Sequence, residues 1–449
     1  MTTNATPSPL PAIRQLLWGA HIKADIFARW SQGFYFSKSE SSALEQSQGG
    51  PCSILAPVQA YIIKNLLDEY KTLAFRDQIA DKKQESLLLN ALFEILRKQN
   101  VSASVTSLNE TAAAEAHAPK QFYMAYLQLD GEGGSDAAIN GEAKSTLNDV
   151  EFFHDAVRLR CINGEDECMQ FMREMIQRYR AQYGILLFLY SVIATKGLHQ
   201  LKSERSDDSS EPLIDETYGY GSQSLINLMI TGRAVSYVWD HEQDVGGLKL
   251  RGIDHQSDIG FITLMEHMRY ITVGTFYKSP KHPVWVLGSE THLTVLFSDN
   301  TALVSAETGC EQARRVFKNY DKDDNNFIKA DDLQNVLADL QLVSETEYVN
   351  VMRRKLDSEN LGIILLNAFM HEFYPLEERS TPDTFQLVHY NGLAQSNYDG
   401  QVKYRIGGAI LLESDLRAMC ESNPMLTCLQ TKWPTIEVNW ADNVTPSLN

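Results

Sequence analysis

The stretch LEQSQGGPCSILAPVQAYIIKNLLDEY, residues 44–70, organises the reading of this 449-residue chain. Gln-Gly-Gly-Pro at 48–51 makes a loop, because glycines and proline in succession interrupt regular structure. Beyond it Ile54, Leu55, Val58, Ile62 and Leu66 recur at helical spacing, which predicts a loop running into a buried helix. Cys52 stands at that junction. Pro57 falls inside the periodic run and is expected to bend the first turn, since proline lacks an amide hydrogen and crowds the turn before it.

A cysteine in that setting suits acyl transfer, which needs a thiolate, a base to form it and donors for the oxyanion. The helix dipole and a neighbouring imidazolium would lower the thiol pKa. Gly49 and Gly50 carry no side chain, so a substrate backbone can approach the sulfur. Gln46, six residues upstream, lies in the loop that folds back over the helix start, and its amide is expected to point at the oxyanion beside the Cys52 N–H. Papain-like peptidases use the same glutamine-to-cysteine spacing. Of eleven histidines, His292 is the best placed base, heading the strand-like HLTVLF directly after Gly-Ser-Glu-Thr. Taken singly, Cys52 also reads as a buried helix residue and His292 as a surface strand residue. The joint pattern of glutamine, cysteine and strand-borne histidine is what favours chemistry.

Outward from this site, residues 12–37 read as a helix leading into aromatic-rich extended structure. YGILLFLYSVIATKGL (183–198) and SQSLINLMITGRAVSYVWD (222–240) read as buried helices, the second interrupted near Thr231–Gly232. GFITLMEHMRYITVG (260–274) reads as a further helix. VWVL, HLTVLF and TALVS within 284–305 read as strands, as do TFQLVHYNGL, VKYRIGG and TIEVNW in the last third. Residues 100–150 read as exposed loops, including GEGGSDAAINGEAKS, between short ordered pieces, and 203–212 as a polar linker or disordered loop.

The segment EQARRVFKNYDKDDNNFIKADDLQNVLADL (311–340) resembles an EF-hand. Asp321, Asp323 and Asn325 stand at loop positions 1, 3 and 5, Phe327 offers its carbonyl at 7, and Asp332 occupies 12. Asn326 replaces the usual glycine, Asp332 is one methylene shorter than glutamate, and Lys329 adds positive charge. A weak Ca2+ or Mg2+ site is therefore expected, and no cofactor is required. The second loop, from Asp357, has Leu361, Leu365 and Ala368 in place of ligands and is expected to bind nothing.

GGPCSILAPVQ with Gln46 ahead of it resembles the nucleophile segment of the MINDY deubiquitinases, and WVLGSETHLTVLFS resembles their histidine strand. Similarity extends through LINLMITGRAVSYVWD, GIDHQSDIGFITLMEH, FQLVHYNGLAQSN and CLQTKWPTIEVNW, and is closest to the EF-hand-containing third paralogue group. The resemblance implies an α+β fold: a papain-like cysteine peptidase variant at 1–310 and 377–449 with an inserted EF-hand-like helical module at 311–376. It implies a thiol-dependent ubiquitinyl hydrolase acting on isopeptide bonds of polyubiquitin and ubiquitinated proteins, with preference for the lysine linkage that targets proteins to the proteasome. Cys52 is then nucleophile, His292 base and Gln46 oxyanion donor. Asn391 is the candidate third member, offering a carbonyl to the imidazole, although Asn-Gly is also a common turn pair; His389 stands behind it.

A net charge of −18 disfavours nucleic acid, since nothing would offset phosphate repulsion. No run of about 18 apolar residues predicts a membrane span. MTTNATPSPLPAIRQ lacks the charged start and apolar stretch of a secretory signal, so an intracellular protein, cytoplasmic, nuclear or both, is expected. Two other functions fit the composition: a catalytically idle ubiquitin-binding or calcium-sensing scaffold, and a general papain-like endopeptidase or acyltransferase.

Overall fold

The computed structural model describes residues 8–77, 83–100, 120–128, 149–205, 211–305, 308–322, 325–375, 381–412 and 423–449. The chain divides into two compact units, one of residues 1–299, 386–409 and 421–449, the other of residues 300–385 and 410–420. The second unit thus begins some residues before the expected 311–376 module and takes in a later segment as well. The loop expected at 131–145 lies outside the described residues. Of the polar stretch 203–212, Ser203 and Glu204 end the helix Leu198–Glu204.

In the first unit the helix Cys52–Tyr70 runs unbroken through Pro57. Every side chain from Cys52 to Ile63 is buried, which explains a sequence apolar on nearly all sides rather than along one stripe. This helix packs against Gln84–Lys98, Gln223–Thr231 and two strands, Val284–Gly288 and Leu293–Phe297. Those strands belong to a six-stranded sheet ordered Ile436–Trp440, Arg405–Leu411, Thr384–Tyr390, Leu293–Phe297, Val284–Gly288, Gly260–Thr263. Its centre is antiparallel, with Val286 opposite Val295 and His389 opposite Leu296. Leu293–Phe297 is buried at every position, so it is an interior strand without an exposed face.

Two sequence expectations need correction. Gly260–Thr263, read as the start of a helix, is an edge strand parallel to Trp285–Gly288. Ladder hydrogen bonds decide there, and only Leu264–His267 is helical. TALVS, read as a strand, forms a 3-10 turn at Thr301–Val304, capped when the Asn300 side chain accepts from the Ala302 N–H. The helix expected over 222–240 stops instead of resuming after its break: Gly232 ends it at φ +79°, a left-handed conformation that glycine adopts without strain, and residues 233–240 are not helical.

Among the described residues no single helix is long and apolar enough to cross a membrane; Gly184–Lys196 and Leu198–Glu204 reach that measure only as a pair bent by 82°. Gly184–Lys196 is almost wholly buried inside the first unit.

In the second unit the helices Gly309–Tyr320, Leu333–Asp339, Thr346–Leu356 and Leu366–Phe373 surround a short antiparallel pair in which Ile328 faces Ile364. Phe317, Leu333, Leu337, Ile364 and Phe369 form a core of its own. The first helix starts with a reciprocal cap, Thr308 to the Glu311 N–H and Glu311 back to Thr308.

Candidate active site

The Cys52–Tyr70 helix packs against the sheet, and Gln46, Cys52, His292 and Asn391 reach this part of the fold from three stretches of the chain. Cys52 is the first residue of its helix, and the N–H of Leu293 bonds toward its sulfur, so the thiol lies at the start of the His292 strand. His292 directly precedes that strand, and Asn391 directly follows Thr384–Tyr390, the neighbouring strand. Gln46 joins the same end through its own backbone, its N–H donating to the Gly392 carbonyl at 2.8 Å. All four are buried: Cys52 4%, His292 5%, Gln46 3% and Asn391 2% exposed.

The hydrogen bonds fix orientations. Asn391 Nδ2 donates to the main-chain oxygens of Ser447 and Asn449 at 3.0 and 3.3 Å, so its Oδ1 faces the other way. That oxygen accepts from the Leu393 N–H at 3.0 Å and from His292 Nε2 at 3.1 Å. Nε2 therefore carries the proton, and Nδ1 is left as the basic nitrogen. This is the relation of asparagine to imidazole found in cysteine–histidine–asparagine peptidases. His389 has another role. It is fully buried on the Thr384–Tyr390 strand with neither ring nitrogen bonded, and it packs edge-on to Trp440 at 6.3 Å.

Electrostatics depart from the sequence expectation. Burial pushes the Cys52 thiol up to about 11, outweighing the Leu293 N–H that pulls it down. Burial likewise pushes His292 down to about 4, against the upward pull of Asn391. In this conformation the pair is neutral thiol and neutral imidazole, because desolvation disfavours both charged forms. Gln46 is also committed, its Nε2 donating to the Gln48 carbonyl at 2.8 Å rather than into an open oxyanion position. The Gln32 amide reaches the same carbonyl at 3.4 Å, while the Ser47 N–H donates to Gln32 Oε1 at 2.9 Å. Arg29 holds the Gly49 carbonyl at 3.4 Å. Gln32, Arg29 and the Leu293 N–H were not singled out from sequence. They carry no local signal, since each becomes a neighbour of the cysteine loop only on folding.

The candidate metal residues are arranged differently. Asp323 lies outside the described residues. Asp321 accepts from the N–H groups of Asn325 and Asn326 at 3.0 and 2.8 Å, and Lys318 Nζ sits 3.3 Å from its carboxylate. Lys318 also bonds the Asn326 side chain. The Asn325 side chain accepts from the Phe327 N–H at 3.3 Å, and Asp332 precedes the helix Leu333–Asp339. Among the described residues no group of three or more His, Cys, Asp or Glu side chains is placed to hold a metal ion. Of the described donors, Asp321 is occupied by its own loop and by Lys318, and no chemical step runs through a cation there. Asn326 does take positive φ, +65°, as its loop position requires.

Residues 14–326 match the family described as "Deubiquitinating enzyme MINDY-3/4, conserved domain". A "Ubiquitin carboxyl-terminal hydrolase MINDY-3 homolog" from Drosophila melanogaster is 50% identical over 474 residues, covering 99% of this chain and 84% of that protein. The Homo sapiens "Ubiquitin carboxyl-terminal hydrolase MINDY-3" is 44% identical over 446 residues, covering 97% of this chain and 98% of its own length. A "Probable ubiquitin carboxyl-terminal hydrolase MINDY-4" from Mus musculus is 30% identical over 279 residues, 60% of this chain and 34% of that protein. No solved structure matches. The chain belongs to the MINDY-3/4 family of deubiquitinating enzymes, and it is a ubiquitinyl hydrolase.

Proposed function

We propose that the enzyme hydrolyses isopeptide bonds in polyubiquitin through a papain-like thiol mechanism, with Cys52 as nucleophile, His292 as base, Asn391 as the residue that orients it and Gln46 as oxyanion donor. The observation that carries this reading is a pair of contacts at one end of the sheet, the Leu293 N–H toward the Cys52 sulfur and, from the preceding residue, His292 Nε2 to Asn391 Oδ1. His292 Nδ1 takes the thiol proton as the sulfur attacks the isopeptide carbonyl carbon. The same proton passes to the departing lysine amine, leaving an acyl-enzyme that water hydrolyses with His292 again as base. For the oxyanion to be served, Gln46 Nε2 must exchange the Gln48 carbonyl for that of the substrate.

Polyubiquitin of the proteasome-targeting lysine linkage is the proposed substrate, and the basis for that linkage is the family resemblance of the Gln46–Cys52 segment and the His292 strand. We read the second unit as an EF-hand-like pair with a structural role, its Ile328–Ile364 pairing joining the two loops. The site is proposed to work without a cofactor, in an intracellular protein.

The test is incubation with ubiquitin dimers and tetramers of every linkage, alongside a ubiquitin-based suicide probe. Labelling at Cys52 and faster cleavage of proteasome-targeting tetramers than of dimers is expected, because each added unit raises the effective concentration of the others. Equal cleavage of tetramers of the extended, non-degradative linkage would sink the linkage assignment. A folded protein that the probe leaves unlabelled would favour the idle scaffold.

A further inference from the structure

The segment Ser447–Asn449 bonds both Asn391, the partner of the imidazole, and the Ser289–His292 turn that carries it. Asn391 has four hydrogen-bonding positions on its side chain. Two, on Oδ1, serve His292 and Leu393; the other two, on Nδ2, are taken by the main-chain oxygens of Ser447 and Asn449. Without those acceptors an isolated Asn391 amide could present either end to the imidazole. With them only the oxygen faces Nε2, which fixes the imidazole tautomer.

The same segment holds the other side of the histidine. The Asn449 side-chain oxygen accepts from the hydroxyls of Ser289 and Thr291, the latter at 3.3 Å. Ser289 in turn closes the turn that carries the histidine: its N–H donates to the His292 carbonyl at 3.0 Å, and its Oγ accepts from the His292 N–H at 3.0 Å. Segment 447–449 is itself cross-bonded. Ser447 Oγ donates to the Asn449 oxygen at 2.8 Å and accepts from the Asn449 N–H at 3.1 Å, while Leu448 between them is buried.

We propose that Ser447–Asn449 is a positioning element of the thiol site, a clamp that ties the Asn391 amide to the Ser289–His292 turn so that His292 presents Nδ1 to Cys52. This rests on the reading of Cys52, His292 and Asn391 as catalytic. Groups that orient an active-site side chain act through geometry, and a displacement of about 1 Å can lower a rate by about 10²-fold. The clamp is one support among several, so its loss costs less than loss of Asn391 itself.

The test uses the full-length enzyme and ubiquitin bearing a fluorogenic amide at its C-terminus. Four variants are compared: Asn449→Ala, Asn449→Asp, Thr291→Val and deletion of residues 447–449. Asn449→Ala and the deletion are expected to lower kcat by roughly 10-fold with KM nearly unchanged, well short of the about 10²-fold limit for a misplaced group. Asn449→Asp, which keeps the acceptor oxygen, restores most of the rate, and Thr291→Val gives an intermediate loss. The acid limb of the kcat–pH profile, below which His292 is protonated and cannot act as base, moves to lower pH in the damaged variants, because Asn391 Oδ1 no longer reliably accepts from Nε2–H. A general loss of stability would lower Tm without moving that limb. Should the deletion fail to fold by circular dichroism, the point variants decide. Unchanged kcat and an unmoved acid limb in Asn449→Ala and Thr291→Val would overturn the clamp. The underlying reading is checked separately, with His292→Ala: if that protein keeps normal turnover, the catalytic assignment itself fails, whatever the clamp variants do.

Discussion

The thiol site and the Asp321 loop both withdraw polar groups from water, yet they satisfy them in opposite ways. Asp321 is 4% exposed, and its carboxylate is occupied by two N–H groups of its own loop and by the Lys318 ammonium. In the thiol site, backbone groups of Leu393, Ser447 and Asn449 fix the orientation of Asn391, whose oxygen accepts from His292 Nε2 and so leaves Nδ1 as the basic nitrogen. The first arrangement uses its acceptors to shape a loop. The second uses its hydrogen bonds to aim one reactive lone pair. Closeness in sequence thus serves local structure, whereas a reactive group is kept available by partners brought from a distance.

The largest effect that would break this contrast is at the nucleophile and base. Cys52→Ala and His292→Ala are both expected to reduce isopeptide cleavage to the background left by binding alone, with ubiquitin affinity retained, as isothermal titration would show. Near-normal turnover in either folded variant would mean that the aimed lone pair is not the reactive one, and His389 would be the histidine to examine next.

Replacing Gln46 by Ala should lower kcat by roughly 10²–10³-fold, the usual cost of one oxyanion donor. Gln46→Glu should be slower still, because its charge opposes the developing anion. Stopped-flow release of a fluorogenic leaving group measures this, and an unchanged rate would leave the role to backbone N–H groups.

A smaller effect concerns acid stability. Burial, with the nearby charges of His292 and Arg405, holds His389 down at about 3, and burial holds His292 at about 4. The unfolded chain takes up these protons near the ordinary imidazole value of 6.5, while the folded one refuses them until about 4 and about 3. Stability is therefore present above pH 6.5 and is lost as pH falls through that window. Urea unfolding at intervals from pH 7 to pH 4 should show the decline. His389→Leu should flatten it, since that ring makes no hydrogen bond to lose. A variant as acid-sensitive as the parent would assign the decline to other groups.

The smallest expected effect belongs to the Asp321 loop. Chelator should change Tm and cleavage only modestly, because Lys318 already sits on the Asp321 carboxylate. Complete loss of activity on chelation, restored by calcium alone, would show that the loop rearranges into a cation site.

Sequence alone determined whatever depends on local periodicity and local chemistry. The Gly-Gly-Pro loop running into the Cys52 helix, the strand after His292, the strand before Asn391, a break at Thr231–Gly232 and the helix–loop–helix character of 311–376 were all legible. Each follows from the residues within a turn or two. Gly260–Thr263 and Thr301–Val304 were misread because strand pairing and a side-chain cap overrode short apolar runs that fit either structure. Only the tertiary structure decided that Asn391 rather than His389 meets His292, although both stand on one short stretch of chain. It also decided that Gln46 spends its amide on Gln48, and that the helix-start thiol is pushed up rather than down. Burial and hydrogen-bond direction depend on which surfaces meet, and no window of sequence around Cys52 contains Leu293, Asn391 or Asn449.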